Sequence, residues 1–254
     1  MLNIVVPMAG SGIRFAEVGY KDPKPLIPVH GVPMIRWVIE NLRPSMPHRY
    51  IFICQRAHVS AYGLEEKLKA WAPCCVLIQL DGVTEGAACT VLTAREYIDN
   101  NDPMMIANSD QYADVDMDTY LAEMDKQNLG ALIMTLKVPP NDARWSFVGF
   151  DSKGNVDRVV EKETISDEAT VGIYNYRHGK DFVKAAEAMI AANLRVKGEF
   201  YVAPVFNQLI AQGQRIGVYN IGSPGKGMYG MGTPPDLEAF LALPLSREIV
   251  KDLT

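Results

Sequence analysis

The chain has 254 residues, 48% of them hydrophobic and 22% charged, with a formal net charge of −5. This composition is typical of a globular protein with a large core, and no stretch is apolar enough for long enough to span a bilayer. No arginine or lysine cluster is interleaved with aromatic residues, which argues against nucleic acid as the main partner. Pro7 and Gly10 interrupt the N-terminal apolar run, unlike a secretory leader, so we expect a cytoplasmic protein.

The first part of the chain alternates between apolar strands and amphipathic helices. Buried strands are predicted over residues 2–6, 50–54 and 76–80, with helices over 34–42 and 64–71. This alternation predicts a parallel sheet with helices on both faces. Ligands of such sheets bind beyond the carboxyl ends of the strands.

The rest of the chain adds strands that need not be parallel. Residues 103–110 read as a buried strand ending in Asp110, followed by a helix to residue 126 and a strand over 130–136. Residues 145–150 and 156–160 predict a strand pair, and a glycine-containing strand (170–174) and a helix (181–192) follow. Thr233 and Asp236 are expected to cap the last helix.

The opening loop is the most informative stretch. Gly10 and Gly12 follow the first strand and leave backbone N–H groups free to hold phosphate oxygens. Arg14 then offers a planar charged fork and Lys24 a point charge, a suitable pair for binding a triphosphate.

Two common glycine motifs do not fit this loop. A dinucleotide fold needs a third glycine where Phe15 stands, and an acid near the end of the second strand, where Gln55 stands. No stretch supplies a Walker loop. The remaining pattern is G-x-G-x-R, a spacer of nine residues, and K-P-L-I-P-V.

With Ala9-Gly10-Ser11-Gly12-Ile13-Arg14 and Pro23-Lys24-Pro25-Leu26, the chain resembles the sugar-phosphate nucleotidyltransferases, whose signature is A-G-x-G-x-R and a downstream P-K-P-L. The chain departs from that signature at Ile13, where the family usually has Thr or Ser. The resemblance implies that the loop wraps a nucleoside triphosphate and that Arg14 and Lys24 bind its phosphates. It assigns nucleotide binding to Ala9, Gly10, Ser11 and Gly12.

Two later positions complete the nucleotide side. Gly86 and Ala87 begin a helix of small residues, where the resemblance implies contact with the base and the α-phosphate. Asp110 ends a buried strand, and a carboxylate there is well placed for a metal that bridges phosphates. We assign Asp110 to Mg²⁺ as cofactor, and the family carries an Asp at this place.

The resemblance also implies an acceptor side. Lys162 would hold the phosphate of the acceptor, with Glu161 near the acceptor's hydroxyl groups and Gly172 on a strand that touches it. Glu199 would open a helix and face the acceptor pocket, although a helix N-terminus alone also suits a glutamate.

One departure concerns the metal. Residues 228–237 match the family's W-x-D-x-G-T-P-x-D-L, but Gly230 stands where many members carry a second metal-binding Asp. Three explanations stay open: Asp110 with water and nucleotide phosphates holds the metal, another acid such as Glu199 substitutes, or the protein is a weak catalyst or none.

The expected fold is therefore a three-layer α/β nucleotide-diphospho-sugar transferase domain with a mostly parallel, mixed sheet. One domain would span residues 1–254, with a nucleotide-binding part to about residue 140 and an acceptor-binding part after it. The expected reaction transfers a nucleotidyl group from CTP, UTP or dTTP to a sugar phosphate or other small phosphorylated acceptor and releases pyrophosphate. The sequence carries no signal for oligomeric state, and a homo-oligomer is left open.

Two rival functions remain. A glycosyltransferase of the related fold also binds a nucleotide and a metal, but the D-x-D motif is absent, since Gln111 and Tyr112 follow Asp110. A nucleotide-binding regulatory module is suggested by Gly230.

Overall fold

A computed structural model of the chain describes residues 1–139 and 142–253. Its strands are β1 (Leu2–Pro7), β2 (Pro28–Val29), β3 (Val32–Pro33), β4 (His48–Gln55), β5 (Val76–Leu80), β6 (Met104–Ala107), β7 (Gln111–Ala113), β8 (Ala131–Lys137), β9 (Ser146–Phe150), β10 (Val156–Glu161), β11 (Glu168–Tyr176), β12 (Ile216–Asn220), β13 (Ser223–Pro224) and β14 (Gly227–Gly230). Its helices are α1 (Ile13–Ala16), α2 (Met34–Asn41), α3 (Arg56–Tyr62), α4 (Leu64–Trp71), α5 (Ala87–Leu92), α6 (Arg95–Ile98), α7 (Met117–Lys126), α8 (Gly179–Ala191), α9 (Phe206–Ala211), α10 (Pro234–Ala242) and α11 (Pro244–Ile249). Short 3-10 helices cover Lys24–Leu26, Ala203–Val205 and Val250–Asp252.

Strand β1 lies inside the main sheet and pairs in parallel with β4 on one side and β6 on the other. Strand β5 continues the parallel part beyond β4. Ile4, Val5 and Val6 are fully buried, because helices cover both faces of the sheet. The loops that follow β1 and β6 therefore open at the same edge of the sheet.

Strand β11 makes the sheet mixed, because it runs antiparallel to β6, β8 and β9. Its register shifts between Thr170 and Tyr174, and Gly172 in this bulge has φ +82°. A Cβ atom on Gly172 would overlap the side-chain amide of Asn108, just after β6. Glycine therefore lets β11 pass close to the end of β6.

Helices pack on both faces of the sheet and give the expected three layers. Ile4 of β1 points to the face covered by α2, α4 and α7, and Val5 points to the face covered by α5, α8 and α9. Successive side chains of a strand point to opposite faces, so β1 contributes to both cores.

A third, smaller core fixes the segments around the opening loop. Phe15 of α1 is buried with Trp37 of α2 and with Phe240 of α10. The rings of Trp37 and Phe240 pack edge to face with centroids 5.5 Å apart. The loop that carries Arg14 is thereby anchored to the C-terminal helices.

Most predicted elements are confirmed, and α4 and β5 have the predicted bounds. The strand predicted over residues 103–110 is shorter, because β6 ends at Ala107 and Asp110 lies in the loop before β7. The cap at Thr233 is also confirmed, because its hydroxyl accepts from the Asp236 amide, but α11 follows, so the capped helix α10 is not the last one. The expected helix at Glu199 is wrong: that residue closes a tight turn, and α9 begins only at Phe206. Within the two described ranges, no helix has both the length and the apolarity that crossing a bilayer requires.

Candidate active site

A cavity of about 1000 Å³ opens at the carboxyl ends of β1 and β6. It lies at the sheet edge where the sequence predicts ligand binding. Seven residues predicted for the site contribute to its lining: Arg14, Lys24, Ala87, Asp110, Glu161, Lys162 and Gly172.

The opening loop forms one rim of this cavity. Gly12 caps α1 with φ +63°, a left-handed conformation that suits glycine. Arg14 follows in α1; its side chain is exposed, and it forms no hydrogen bond or ion pair within the described residues. Gly10 and Ser11 are exposed, and the carbonyl of buried Ala9 accepts from Gln55 Nε2 at 2.8 Å. None of Ala9, Gly10, Ser11 and Gly12 is among the described residues that line the cavity, so their contact with a ligand stays a prediction.

Lys24 and Asp110 form an ion pair in the cavity wall, with Nζ 2.8 Å from Oδ2. Both side chains are half-buried, at 28% and 20% exposure, so the pair is shielded from solvent more than an ordinary surface pair. A Cβ atom on Gly232 would overlap Asp110 Oδ2, so the glycine leaves room for this carboxylate. The pair brings the cation that is predicted to bind phosphate and the carboxylate that is predicted to bind the metal to one point.

The cavity wall next to Asp110 contains Gly230, the position where many family members carry a second Asp. Strand β7 pairs with β14 so that Gln111 lies opposite Gly230. The atoms nearest to a Cβ at Gly230 belong to Asp236 and lie 3.9 Å away, so a side chain would fit there. Within residues 1–139 and 142–253, no group of three acidic, histidine or cysteine side chains could hold a metal by itself.

The acceptor side is built on the β9–β10 hairpin. Glu161 lies opposite Ser146 in the antiparallel register, and the Ser146 hydroxyl donates to the Glu161 carboxylate. Burial raises the pKa of Glu161, and the nearby Glu199 carboxylate raises it further, while the Ser146 hydrogen bond and Lys162 oppose the shift. Glu161 is therefore a shielded carboxyl group in the lining of the cavity.

Lys162 follows at the end of β10 with φ +57°, a conformation that non-glycine residues seldom adopt. Its Nζ donates to the Tyr201 hydroxyl, lies 4.3 Å from the Tyr201 ring centroid, and is 4.0 Å from a Glu161 oxygen. Its amide donates to the Trp145 carbonyl at 2.9 Å. The Lys162 ammonium is thus directed into the cavity by groups from two segments.

Gly86 and Glu199 do not line the cavity. Gly86 has φ +137°, and a Cβ atom there would lie 2.5 Å from the Phe200 backbone nitrogen, so its immediate role is close packing of two chain segments. Glu199 is exposed, one residue before Phe200. Whether either touches a ligand stays a prediction.

Several lining residues escaped sequence reasoning, among them Arg144, Ser146 and Lys197. Ser146 could have been found by aligning the predicted hairpin, since it falls opposite Glu161. Arg144 and Lys197 stand in polar stretches without a motif, and only the fold brings them to the site.

The charge of the lining differs from that of the whole chain. Among the residues that the structure describes, five cations line the cavity, against the three carboxylates of Asp110, Glu161 and Asp236. A cationic cavity in a chain of net charge −5 favours anionic ligands. The cations are Arg14, Lys24, Arg144, Lys162 and Lys197.

The parallel core, the glycine loop after β1 and the cationic cavity at the strand ends define an α/β protein whose cavity is suited to an anionic ligand. The family described as nucleotidyl transferase matches residues 4–216. The chain therefore belongs to the nucleotidyl transferase family.

Known proteins are similar over most of this chain. The bifunctional protein GlmU of Methanocaldococcus jannaschii is 24% identical over 179 residues, which are 69% of this chain and 40% of that protein. The chain spans about half or less of the length of the curated relatives it matches.

Solved structures share the fold. A nucleoside-diphosphate-sugar pyrophosphorylase from Vibrio cholerae superposes with a TM-score of 0.79 at 24% identity, over 94% of this chain and all (100%) of that one. A UDP-glucose pyrophosphorylase complexed with UDP-glucose superposes with a TM-score of 0.75 at 16% identity, over 99% of both chains. These likenesses confirm the predicted fold class.

Proposed function

We propose that this protein transfers a nucleotidyl group from a nucleoside triphosphate to a sugar phosphate or another small phosphorylated acceptor and releases pyrophosphate. The observation that carries the proposal is the distribution of cations in one cavity. Arg14 and Lys24 lie on the side of the opening loop, and Lys162 lies on the side of the β9–β10 hairpin. The cavity therefore offers separate cations for a triphosphate and for a second phosphate. We keep the cytoplasm as the proposed compartment.

The reaction needs alignment and charge neutralisation more than proton transfer. A phosphate oxygen of the acceptor attacks the α-phosphorus, and the bond to the bridging oxygen of pyrophosphate breaks with its electron pair. The acceptor phosphate is already an anion near neutral pH, so no general base is required. Lys162 would direct the attacking phosphate, and Glu161 would accept hydrogen bonds from the acceptor's hydroxyl groups. Arg14 and the amides of the Gly10–Gly12 loop would stabilise the charge that develops on pyrophosphate.

The residues around Asp110 fit a Mg²⁺ ion that takes most of its ligands from phosphates and water. Asp110 lies in the short loop between β6 and β7, and the missing Cβ of Gly232 leaves its carboxylate room. Mg²⁺ is commonly bound through one or two carboxylates together with substrate phosphates. Asp110 would hold the ion, which when bound would neutralise phosphate charge.

A matrix of nucleoside triphosphates against phosphorylated acceptors, read out as pyrophosphate, tests the proposal. We expect pyrophosphate release that requires both substrates. Tight nucleotide binding by calorimetry without release from any pair would contradict it and favour the regulatory module. Sugar transfer from a nucleotide sugar without pyrophosphate would favour the glycosyltransferase.

A further inference from the structure

A tight turn at the cavity edge carries Lys197, a lysine to which the proposed nucleotide site assigns no role. Val196 and Glu199 exchange backbone hydrogen bonds of 3.0 Å in both directions. The two residues between them, Lys197 and Gly198, have φ +48° and +87°. This is the geometry of a two-residue hairpin turn, in which glycine or asparagine is usual and lysine is not. Lys197 lines the cavity and forms no hydrogen bond or ion pair within the part of the chain that is described.

The Arg195 side chain contacts the turn and three residues around it. Its Nε donates to Asn193 Oδ1 at 2.7 Å, and its Nη1 donates to the Gly198 carbonyl at 3.1 Å. Its Nη2 donates to Glu85 Oε2 at 2.5 Å, and its guanidinium lies 4.1 Å from the Phe200 ring centroid. A planar fork is needed to make these contacts at once.

The Glu85 contact joins the turn to the loop that precedes α5. The Phe200 amide donates to the Glu85 carbonyl at 2.9 Å, and the Ala88 amide donates to the Phe200 carbonyl at 3.0 Å. These two bonds flank Gly86, whose missing Cβ gives the Phe200 backbone its place. Hydrogen bonds between the Glu85 loop and Phe200 therefore join the predicted nucleotide side of the cavity to the predicted acceptor side.

The contact between the Phe200 segment and the Glu85 loop also fixes the position of a second lysine, Lys162. Tyr201 follows Phe200 directly, and its hydroxyl accepts from Lys162 Nζ. The segment held by Arg195 thus places Lys197 through the turn and Lys162 through Tyr201.

We propose that Arg195 is a positioning residue that holds the turn Val196–Glu199 against the Glu85 loop, so that Lys197 and Lys162 meet the anionic part of the acceptor together. This inference rests on the proposed function, because it assigns the acceptor to that end of the cavity. A purely structural role would predict loss of stability. The Glu85 and Arg195 side chains are 67% and 31% exposed, and such pairs stabilise a fold little.

The test compares Arg195→Ala, Arg195→Lys and Lys197→Ala with the control Arg215→Ala, which removes an exposed arginine that does not line this cavity. We expect Arg195→Ala and Lys197→Ala each to raise the acceptor KM about tenfold, with the nucleotide Kd and the melting temperature nearly unchanged. The acceptor KM of the double variant Arg195→Ala/Lys197→Ala should be no higher than that of the weaker single variant, since both changes remove the same contact between Lys197 and the acceptor. Arg195→Lys should recover only part of the loss, because an ammonium group cannot replace the fork.

Inorganic phosphate binding by calorimetry supplies a readout that needs no turnover. Its Kd should rise by a similar factor in Arg195→Ala and Lys197→Ala and should be unchanged in Arg215→Ala. Additive effects in the double variant, or an unchanged phosphate Kd in Arg195→Ala, would overturn the inference. A wild-type protein that binds phosphate in this way but releases no pyrophosphate would refute the proposed function alone.

Discussion

Replacing Gly86 by alanine tests the junction between the two sides of the cavity. The new Cβ would lie 2.5 Å from the Phe200 nitrogen, and the backbone would have to keep φ +137°, a region that is almost confined to glycine. The strained backbone costs roughly 1–3 kcal/mol. The two flanking hydrogen bonds of Phe200 are worth about 1 kcal/mol each if they are lost.

Together these effects predict that Gly86→Ala lowers the free energy of unfolding by about 3–5 kcal/mol. For a chain of this size each kcal/mol corresponds to roughly 2–4 °C, so the melting temperature should fall by about 6–20 °C. Calorimetric melting is the assay. Gly82→Ala is the matched control, because Gly82 lies in the same loop, has no positive φ, and has no atom within 4 Å of the place that an added Cβ would take. A Gly86→Ala protein as stable as the control would refute the close packing.

Three further substitutions probe the site itself. Arg14→Ala should lower turnover by about 10³-fold, while melting stays as in Lys21→Ala, a control that removes an exposed cation of the same loop. Glu161→Gln should remove part of the pH dependence of the free energy of unfolding. Because the folded pKa of Glu161 is raised, its favourable contribution to that free energy is complete below the ordinary value of 4.5 and is lost as pH rises through the folded pKa. Gly230→Asp should tighten Mn²⁺ binding in the presence of nucleotide, because it adds a carboxylate on the wall beside Asp110, and isothermal titration measures it.

Each of these expectations has an outcome that contradicts it. Ordinary turnover in Arg14→Ala would remove that residue from the pyrophosphate site. Parallel stability curves for wild type and Glu161→Gln between about pH 4 and 8 would show that burial does not perturb this carboxyl. Unchanged Mn²⁺ affinity in Gly230→Asp would mean that a side chain at this position does not reach the metal.

The sequence predicted the parts of the fold that depend on local pattern. A continuous β-branched run located β1, which is buried on both faces, and the three- and four-residue spacing of apolar residues located α2. Arg14, Lys24 and Asp110 were assigned from their chemistry together with the family resemblance, and all three line one cavity. The domain division near residue 140 stays a prediction.

Features made by distant segments could not be predicted in this way. The pairing of β7 with β14 places Gln111 beside Gly230, although the two strands are far apart in the sequence. The turn at Lys197 breaks the usual residue preference of its conformation, so propensity argues against it. Arg195 reaches Glu85 across 110 residues, and neither residue stands in a recognisable motif.

A crystal structure with a non-hydrolysable nucleoside triphosphate and Mg²⁺ would test the phosphate site most directly. The triphosphate should lie along the Gly10–Gly12 amides with Arg14 and Lys24 on its oxygens and with Asp110 on the metal side. A triphosphate bound elsewhere, with Arg14 and Lys24 directed into solvent, would contradict the proposed nucleotidyl transfer at this cavity.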